Sequence, residues 1–280
     1  MLSGKRILVI GGSLGIGAVV AEECARAGAK VVIASRTKKD LEKTAHAIRT
    51  KTSQEVVLKV LDVSRKTDVQ GTARWARKKF RFLDGLVNCA GVFGPIGRLD
   101  AIDLNEFERA HRINFLGTVY SCALFAPLMK NRSAKIVNYS GGGGTSAFPN
   151  YSAYATSKTA VVRLTENLAK EYLSLGIAVN AVAPGFVITR FHEQTLIAGD
   201  RAGKSYLENT KKEIKKGGVP PEKAARLTAF LLSNLSDGIN GKLISAPWDD
   251  WENPQFINRL KLEEHFTTLR RIDGKNFAET

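Results

Sequence analysis

Tyr154 and Lys158, in the run Tyr154-Ala-Thr-Ser-Lys158, place a phenol and an amine four residues apart. On a helix, i and i+4 share a face, so both polar tips can serve one site. Ser152, just after Pro149-Asn150, is positioned to cap such a helix. A phenol titrates near ~10, and a neighbouring ammonium favours its phenolate by Coulomb attraction. Such a pair can exchange a proton with an alcohol or a ketone. The same spacing also arises by chance on exposed helices, so its meaning depends on the rest of the chain.

A second group of residues suits phosphate. Val9-Ile10-Gly11-Gly12-Ser13-Leu14-Gly15-Ile16-Gly17 follows an apolar run and opens an amphipathic one, the context of a dinucleotide fingerprint. Glycines let the backbone approach a pyrophosphate, whose charge then meets the free N–H groups of a helix start. The next strand ends in Ala34-Ser35-Arg36, where a carboxylate would bind the ribose 2′-hydroxyl of NAD. A guanidinium pairs with a 2′-phosphate that a carboxylate would repel, which points to NADP(H). The alternative is that Arg36 is a solvated residue at a helix start.

Composition bounds the other classes. With 280 residues, 44% hydrophobic and 25% charged, the chain can bury a sizeable core. No apolar run approaches the ~18 residues of a membrane span. The N-terminal apolar run is short, lacks a cleavage-like site and reads as a first strand. Cys24, Cys89 and Cys122 have neither zinc nor disulfide spacing and read as buried small hydrophobes in a reducing, cytoplasmic compartment. His46, His111 and His192 also lack ligand spacing, so no metal is expected and surface positions are their default. The 42 basic and 27 acidic residues give a net charge of +15, which raises nucleic-acid binding as a class. The basic residues are dispersed and no aromatic platform interleaves with them. A solvated basic surface that favours anionic ligands is the reading kept, with no nucleic-acid or membrane partner.

Apolar runs at Arg6 to Ile10, Lys30 to Ala34, Glu55 to Val60, Leu83 to Asn88, Lys135 to Tyr139, Ile177 to Val182 and Leu243 to Ser245 read as strands. Helical patterns fall between them, at Gly15 to Ala27, Lys38 to Arg49 and near 65–80, 104–130, 152–174 and 221–234. This alternation predicts an α/β, Rossmann-type fold: one doubly wound parallel sheet over 1–250 with helices on both faces. The lysine-rich segment Arg190 to Gly218 is either a disordered loop or a substrate lid. Its Arg190, Lys204, Lys211, Lys212, Lys215 and Lys216 would suit an anionic substrate, for example a nucleotide-linked sugar. An extension, 251–280, follows Trp248 and carries Trp251, Phe256 and Phe266. It packs either on a partner subunit near a substrate mouth or back on its own domain.

From about Lys5 to about Ser245 these features together resemble the short-chain dehydrogenase/reductase family. Gly11 to Gly17 resembles its G-x-x-x-G-x-G turn, with Ile10 where a threonine usually stands. Asn88-Cys89-Ala90-Gly91 resembles its N-N-A-G element, Asp62-Val63 its adenine-contacting pair, and Pro184-Gly185-Phe-Val-Ile-Thr189 its P-G-x-x-x-T segment. The resemblance implies an NADP(H)-dependent oxidoreductase moving a hydride between nicotinamide and a carbonyl or secondary alcohol. The enzyme would be a homodimer or homotetramer acting on a small molecule. It further implies that Gly11, Ser13, Leu14, Gly15, Ile16, Ser35, Arg36, Asp62, Val63, Asn88, Ala90 and Gly91 line the cofactor. Pro184, Gly185, Val187 and Thr189 would hold its nicotinamide end, with Tyr154 and Lys158. Tyr154 would be the general acid or base, Lys158 would hold the ribose and lower the Tyr154 pKa, and Asn114 would support Lys158 through a water relay.

One position departs from the family pattern: Gly141 stands where a serine would hydrogen-bond the substrate oxygen. Losing such a donor costs ~10²–10³ in rate if nothing replaces it. Ser140 is the replacement expected, with Thr145 and Ser146 as alternatives. A site that binds NADPH without reducing anything, as a sensor or scaffold, is the competing reading.

Overall fold

The computed structural model describes residues 1–271. In chain order its main elements begin with β1 (Arg6–Ile10), α1 (Gly15–Arg26), β2 (Lys30–Ser35), α2 (Lys38–Thr52), β3 (Val57–Val60) and α3 (Lys66–Phe80). Next come β4 (Gly85–Asn88), α4 (Leu104–His111), α5 (Gly117–Phe125), β5 (Ala134–Tyr139), α6 (Ser152–Glu171) and β6 (Ile177–Ala183). The remainder are α7 (Arg190–Ala198), α8 (Lys204–Lys215), α9 (Pro221–Leu232), β7 (Leu243–Ser245) and α10 (Pro254–Leu262).

The strands explain why their sequences read as unbroken apolar runs. In β1, Ile7 and Val9 belong to one core and Leu8 and Ile10 to another. Successive side chains of a strand point to opposite faces, so each run is two half-patterns. β2 divides in the same way, Val31 and Ile33 against Val32 and Ala34. So does β5, Val137 and Tyr139 against Ala134 and Ile136. Each aliphatic side chain buried this way contributes about 1.5–3 kcal/mol. α1, α2 and α9 close the first core, through residues such as Val20, Leu41 and Leu231; α3, α5 and α6 close the second, through Val69, Phe125 and Leu168.

All seven strands are parallel, in the order β3-β2-β1-β4-β5-β6-β7. The order reverses between β1 and β4, and at such a switch the chain leaves the carboxyl ends of neighbouring strands in opposite directions, opening a crevice. The doubly wound parallel sheet expected from the alternation is therefore present, and it fixes where a site must lie.

The departures are local. The helix expected over 104–130 is broken by a π turn at Arg112–Leu116 between α4 and α5. Ser152 does not cap α6: Asn150 turns the chain at φ 67°, Tyr151 takes the cap position, and Ser152 is already helical. The segment from Arg190 to Gly218 is largely helical, as α7 and α8, rather than a loop. Thr189 begins α7: its hydroxyl accepts from the Phe191 N–H at 3.3 Å, and His192 Nδ1 accepts from the Thr189 N–H at 3.4 Å. That cap, with Phe186 lying 3.8 Å from the imidazole ring, buries His192, against its surface default.

Beyond β7 the chain folds back on the same body. Trp251 and Leu260 enter the first core, and Phe256 and Phe266 pack against it. Buried Lys242 donates to the Glu263, Glu264 and Phe266 carbonyls at 2.5, 3.0 and 3.0 Å, holding the chain after α10. The part of the 251–280 extension after Arg271 lies outside the described residues.

Candidate active site

The carboxyl ends of all seven strands border one cavity of about 980 Å³. Gly11 follows β1, Ser35 and Arg36 end β2, and Leu61 to Val63 follow β3. Cys89 to Phe93 follow β4, Ser140 to Gly143 follow β5, Pro184 and Gly185 follow β6, and Ser245 ends β7. The topology thus brings together residues separated by more than two hundred positions.

The β1–α1 turn is built for close approach. Gly11 sits at φ 83°, and a Cβ there would lie 2.6 Å from Ala90 N. A Cβ on Gly17 would strike the Gly11 carbonyl oxygen. No side chain caps α1, so its first-turn N–H groups are free for an anion. Nearby, the Ser35 Oγ is buried without a partner, the situation in which a polar atom awaits a ligand. Arg36 is exposed on the same wall and Asp40 of α2 borders it. Asp62 accepts from the Ser64 N–H and hydroxyl at 3.0 and 2.7 Å, which fixes the loop after β3. An uncapped helix start, a glycine floor and an unpaired hydroxyl fit a dinucleotide.

Of the residues expected at the cofactor, Gly11, Ser13, Leu14, Gly15, Ile16, Ser35, Arg36, Asp62, Val63, Ala90, Gly91, Tyr154, Lys158, Pro184, Gly185, Val187 and Thr189 all border this cavity. Asn88 does not. As the last residue of β4 its side chain lies within the body, donating to Asn138 Oδ1 at 2.9 Å; its next neighbours Cys89, Ala90 and Gly91 form the wall.

Tyr154 and Lys158 lie on the cavity side of α6, both buried. The Tyr154 ring stands edge-on to Phe93 at 4.9 Å, and its hydroxyl has no partner among the described residues. Lys158 Nζ donates to the Tyr139 carbonyl at 2.8 Å and stands 5.9 Å from the Tyr154 ring centroid. Burial removes solvent from both groups: the phenol is pushed up above its ordinary value, further raised by Tyr206 and Cys89. The ammonium is brought down to about 8 by the same desolvation. The expected depression of Tyr154 by Lys158 is therefore absent from this geometry. Burial dominates over a charge that is turned to a carbonyl instead.

Asn114 lies in the π turn, an irregularity that frequently marks function. Its amide donates to the Val92 carbonyl at 2.8 Å and to Ser157 Oγ at 2.9 Å, and accepts from the Val92 N–H at 2.8 Å. A Cβ on Gly91 would lie 3.4 Å from Asn114 Oδ1 and 3.5 Å from Lys158 Nζ. Asn114 thus ties the β4 loop to α6 directly behind Lys158.

The serine question resolves into geometry. Ser140 borders the cavity, but its hydroxyl turns inward, donating to the Lys158 carbonyl at 3.4 Å and resting against Gly144. It is not brought to the Tyr154 hydroxyl. Gly141 is: a Cβ there would collide with that hydroxyl and lie 3.4 Å from Tyr154 Cζ. Thr145 and Ser146 are exposed on the cavity rim.

Sequence reasoning missed the aromatic part of the wall. Phe93, Phe148, Phe191, His192 and Tyr206 border the cavity, as does Trp248, which is 81% exposed. Among the basic residues of 190–218 only Arg190 borders it; Lys204, Lys211, Lys212, Lys215 and Lys216 are exposed elsewhere. The sequence did set aromatics beside expected site residues: Tyr139 precedes Ser140, Phe186 stands between Gly185 and Val187, and Phe191 follows Thr189-Arg190. Among the described residues no cluster of His, Cys, Asp and Glu could hold a metal, and no helix is long and apolar enough to cross a membrane.

A parallel sheet with this crevice, and a tyrosine and lysine one helical turn apart at its edge, define a nicotinamide-dependent oxidoreductase. A family model described as enoyl-(acyl carrier protein) reductase matches residues 11–246. The chain is 31% identical to levodione reductase of Leifsonia aquatica over 245 residues, covering 85% of this chain and 91% of that one. Among solved structures, NAD+-bound xylitol dehydrogenase superimposes with a TM-score of 0.81 at 25% identity, covering 87% of this chain and 98% of that one. A short chain dehydrogenase from Shigella flexneri complexed with NADP superimposes with a TM-score of 0.76 at 26% identity, covering 88% and 98%. The chain belongs to the short-chain dehydrogenase/reductase family.

Proposed function

We propose that the protein is an NADP(H)-dependent carbonyl reductase, with Tyr154 as the proton donor. The observation that carries this reading is the unpartnered Tyr154 hydroxyl at the cavity wall, one helical turn from Lys158. The bound cofactor supplies the hydride, and the side chains provide orientation and the proton. A phenol kept protonated by burial suits the reducing direction, in which it gives its proton to the developing alkoxide.

Lys158, still largely charged at neutral pH, stands where it would bind the nicotinamide ribose, and Asn114 positions it through the β4 loop. Ser140 serves by holding the first turns of α6 through the Lys158 carbonyl, and Thr145 or Ser146 on the rim can add a hydrogen bond to the substrate. Arg36 supports the choice of NADP(H), since it reaches the same wall as the unpaired Ser35 hydroxyl. Residues 190–218 act as a lid over the substrate end. Lys204, Lys211, Lys212, Lys215 and Lys216 do not border the cavity and so lend an anionic substrate no direct support; Arg190 does border it. The assembly is a homo-oligomer working in the cytoplasm.

Steady-state NADPH oxidation against a panel of ketones tests the assignment. Tyr154→Phe should lower kcat by about 10²–10⁴ while NADPH affinity stays within about threefold. Undiminished turnover would remove Tyr154 from the chemistry.

A further inference from the structure

The substrate end of the cavity differs in chemistry from the rest of it, and the difference names a ligand class. Four segments far apart in sequence each send an aromatic ring to it: Phe93 after β4, Phe148 before α6, Phe191 from α7 and Tyr206 from α8. The rings gather around the catalytic phenol and around buried Tyr151, which stacks on Phe148 at 4.2 Å and lies 5.1 Å from both Phe93 and Tyr206. Phe93 and Phe191 lie 4.7 Å apart and tilted by 39°, while Phe148 and Tyr206 lie 4.6 Å apart and meet at 72°. Phe93 contacts Tyr154 at 4.9 Å and Phe148 stands 6.4 Å from it. Phe148, Phe191 and Tyr206 are only half-buried, so part of each ring remains available to a ligand. Behind them Ile96, Ala198 and Ala202 complete an apolar cluster separate from the two cores of the sheet.

Apart from Lys158, the charged residues of the lining stand elsewhere along the cavity. Arg36, Asp40 and Asp62 belong to the ends of β2 and β3. Arg190 stands between Thr189, whose methyl lies 3.5 Å from the place of a Cβ on Gly15, and Phe191 of the ring cluster. Asp249 is engaged by the Ser245 N–H at 2.7 Å. His192 accepts at Nδ1 from the Thr189 backbone, which leaves an Nε2–H as a neutral donor on the wall. The Lys158 ammonium near the phenol is engaged by the Tyr139 carbonyl, so an anionic substrate would lose its hydration against the rings with little charge to meet it, and a polyol would bury hydroxyls against ring carbons. A flat ring loses little and gains stacked and edge contacts.

We propose that the substrate is an uncharged, ring-bearing ketone, or the matching alcohol, held against the open parts of Phe148, Phe191 and Tyr206 with its oxygen at Tyr154. This rests on the reductase reading of the same cavity. Binding separates the two. Titration calorimetry of the NADP+-saturated protein should show tetralone binding at least about tenfold more tightly than benzoylformate or dihydroxyacetone phosphate. Tyr206→Ala and, as a milder change, Phe148→Leu should each weaken tetralone by about tenfold, with NADP+ affinity unchanged as evidence of an intact fold. Preference for either anion, no tetralone binding by a protein that binds NADP+, or unchanged tetralone affinity in both variants would overturn the inference. Tetralone binding that depends on Tyr206 but leads to no reduction by NADPH would support the ring site and sink the reductase reading.

Discussion

The two ends of the cavity are made of different material. The glycine-turn end is floored by backbone: Gly11 and Gly17 admit no Cβ and α1 is uncapped, with Ser35, Arg36, Asp40 and Asp62 as polar side chains beside it. The Tyr154 end is made of rings carried by four separate segments, with Gly141 as the gap that seats the phenol. A backbone site tolerates no substitution at a few glycines, yet serves any ligand carrying a pyrophosphate. A side-chain site can be rebuilt by changing rings, which lets one fold serve many substrates.

Breaking the contrast at its narrowest point should have the largest effect. Gly141→Ser puts a side chain back where the family has one, but its Cβ would occupy the space of the Tyr154 hydroxyl. Displacing a ring already held edge-on by Phe93 should cost about 10²-fold in kcat, with NADPH affinity little changed. If kcat instead rises, Tyr154 yields easily and the missing serine was a real deficit.

At the other end, Arg36→Asp should weaken NADPH by about 10–100-fold through loss of a charge-assisted contact and added repulsion, with NADH weakened far less. Equal loss for both cofactors would show that Arg36 does not read the 2′-phosphate. The third test titrates the boundary between the ends. Lys158 is brought down to about 8, so its ammonium is complete below that pH and is lost above it. kcat/KM for NADPH should therefore fall by about tenfold per unit above pH 8. Lys158→Arg should remove that limb, whereas a flat profile in wild type would mean that the Lys158 charge is not used. Stability has the opposite slope from this group: between about 8 and 10.5 the unfolded chain holds more protons at Lys158, so its contribution to stability rises with pH.

The same contrast explains what could be read in advance. The strands and the glycine turn were legible because apolar runs, helix periods and glycines at forced φ are local facts. That Tyr154 and Lys158 share one side of a helix followed from their spacing, but their expected role came only from the resemblance carried by the whole chain. Asn88 does not border the cavity, because the alternation of a strand decides which neighbour faces it, and Cys89 to Gly91 form that wall. The aromatic end had no spacing to reveal it, since positions 93, 148, 191 and 206 meet only after folding. Charge misled for the same reason. Composition shows that 190–218 is lysine-rich, but helix phase turns those lysines outward and brings Phe191 and Tyr206 in. His192 was read as a surface residue because its partner is a backbone N–H three residues back.

The most direct measurement follows the hydride itself, using NADPH deuterated on the nicotinamide ring and tetralone as acceptor. The expected result is deuterium on the carbinol carbon of the product in wild type, and none detectable in Tyr154→Phe over the same time despite normal NADPH binding. Equal deuterium transfer in both proteins would contradict the assignment of Tyr154.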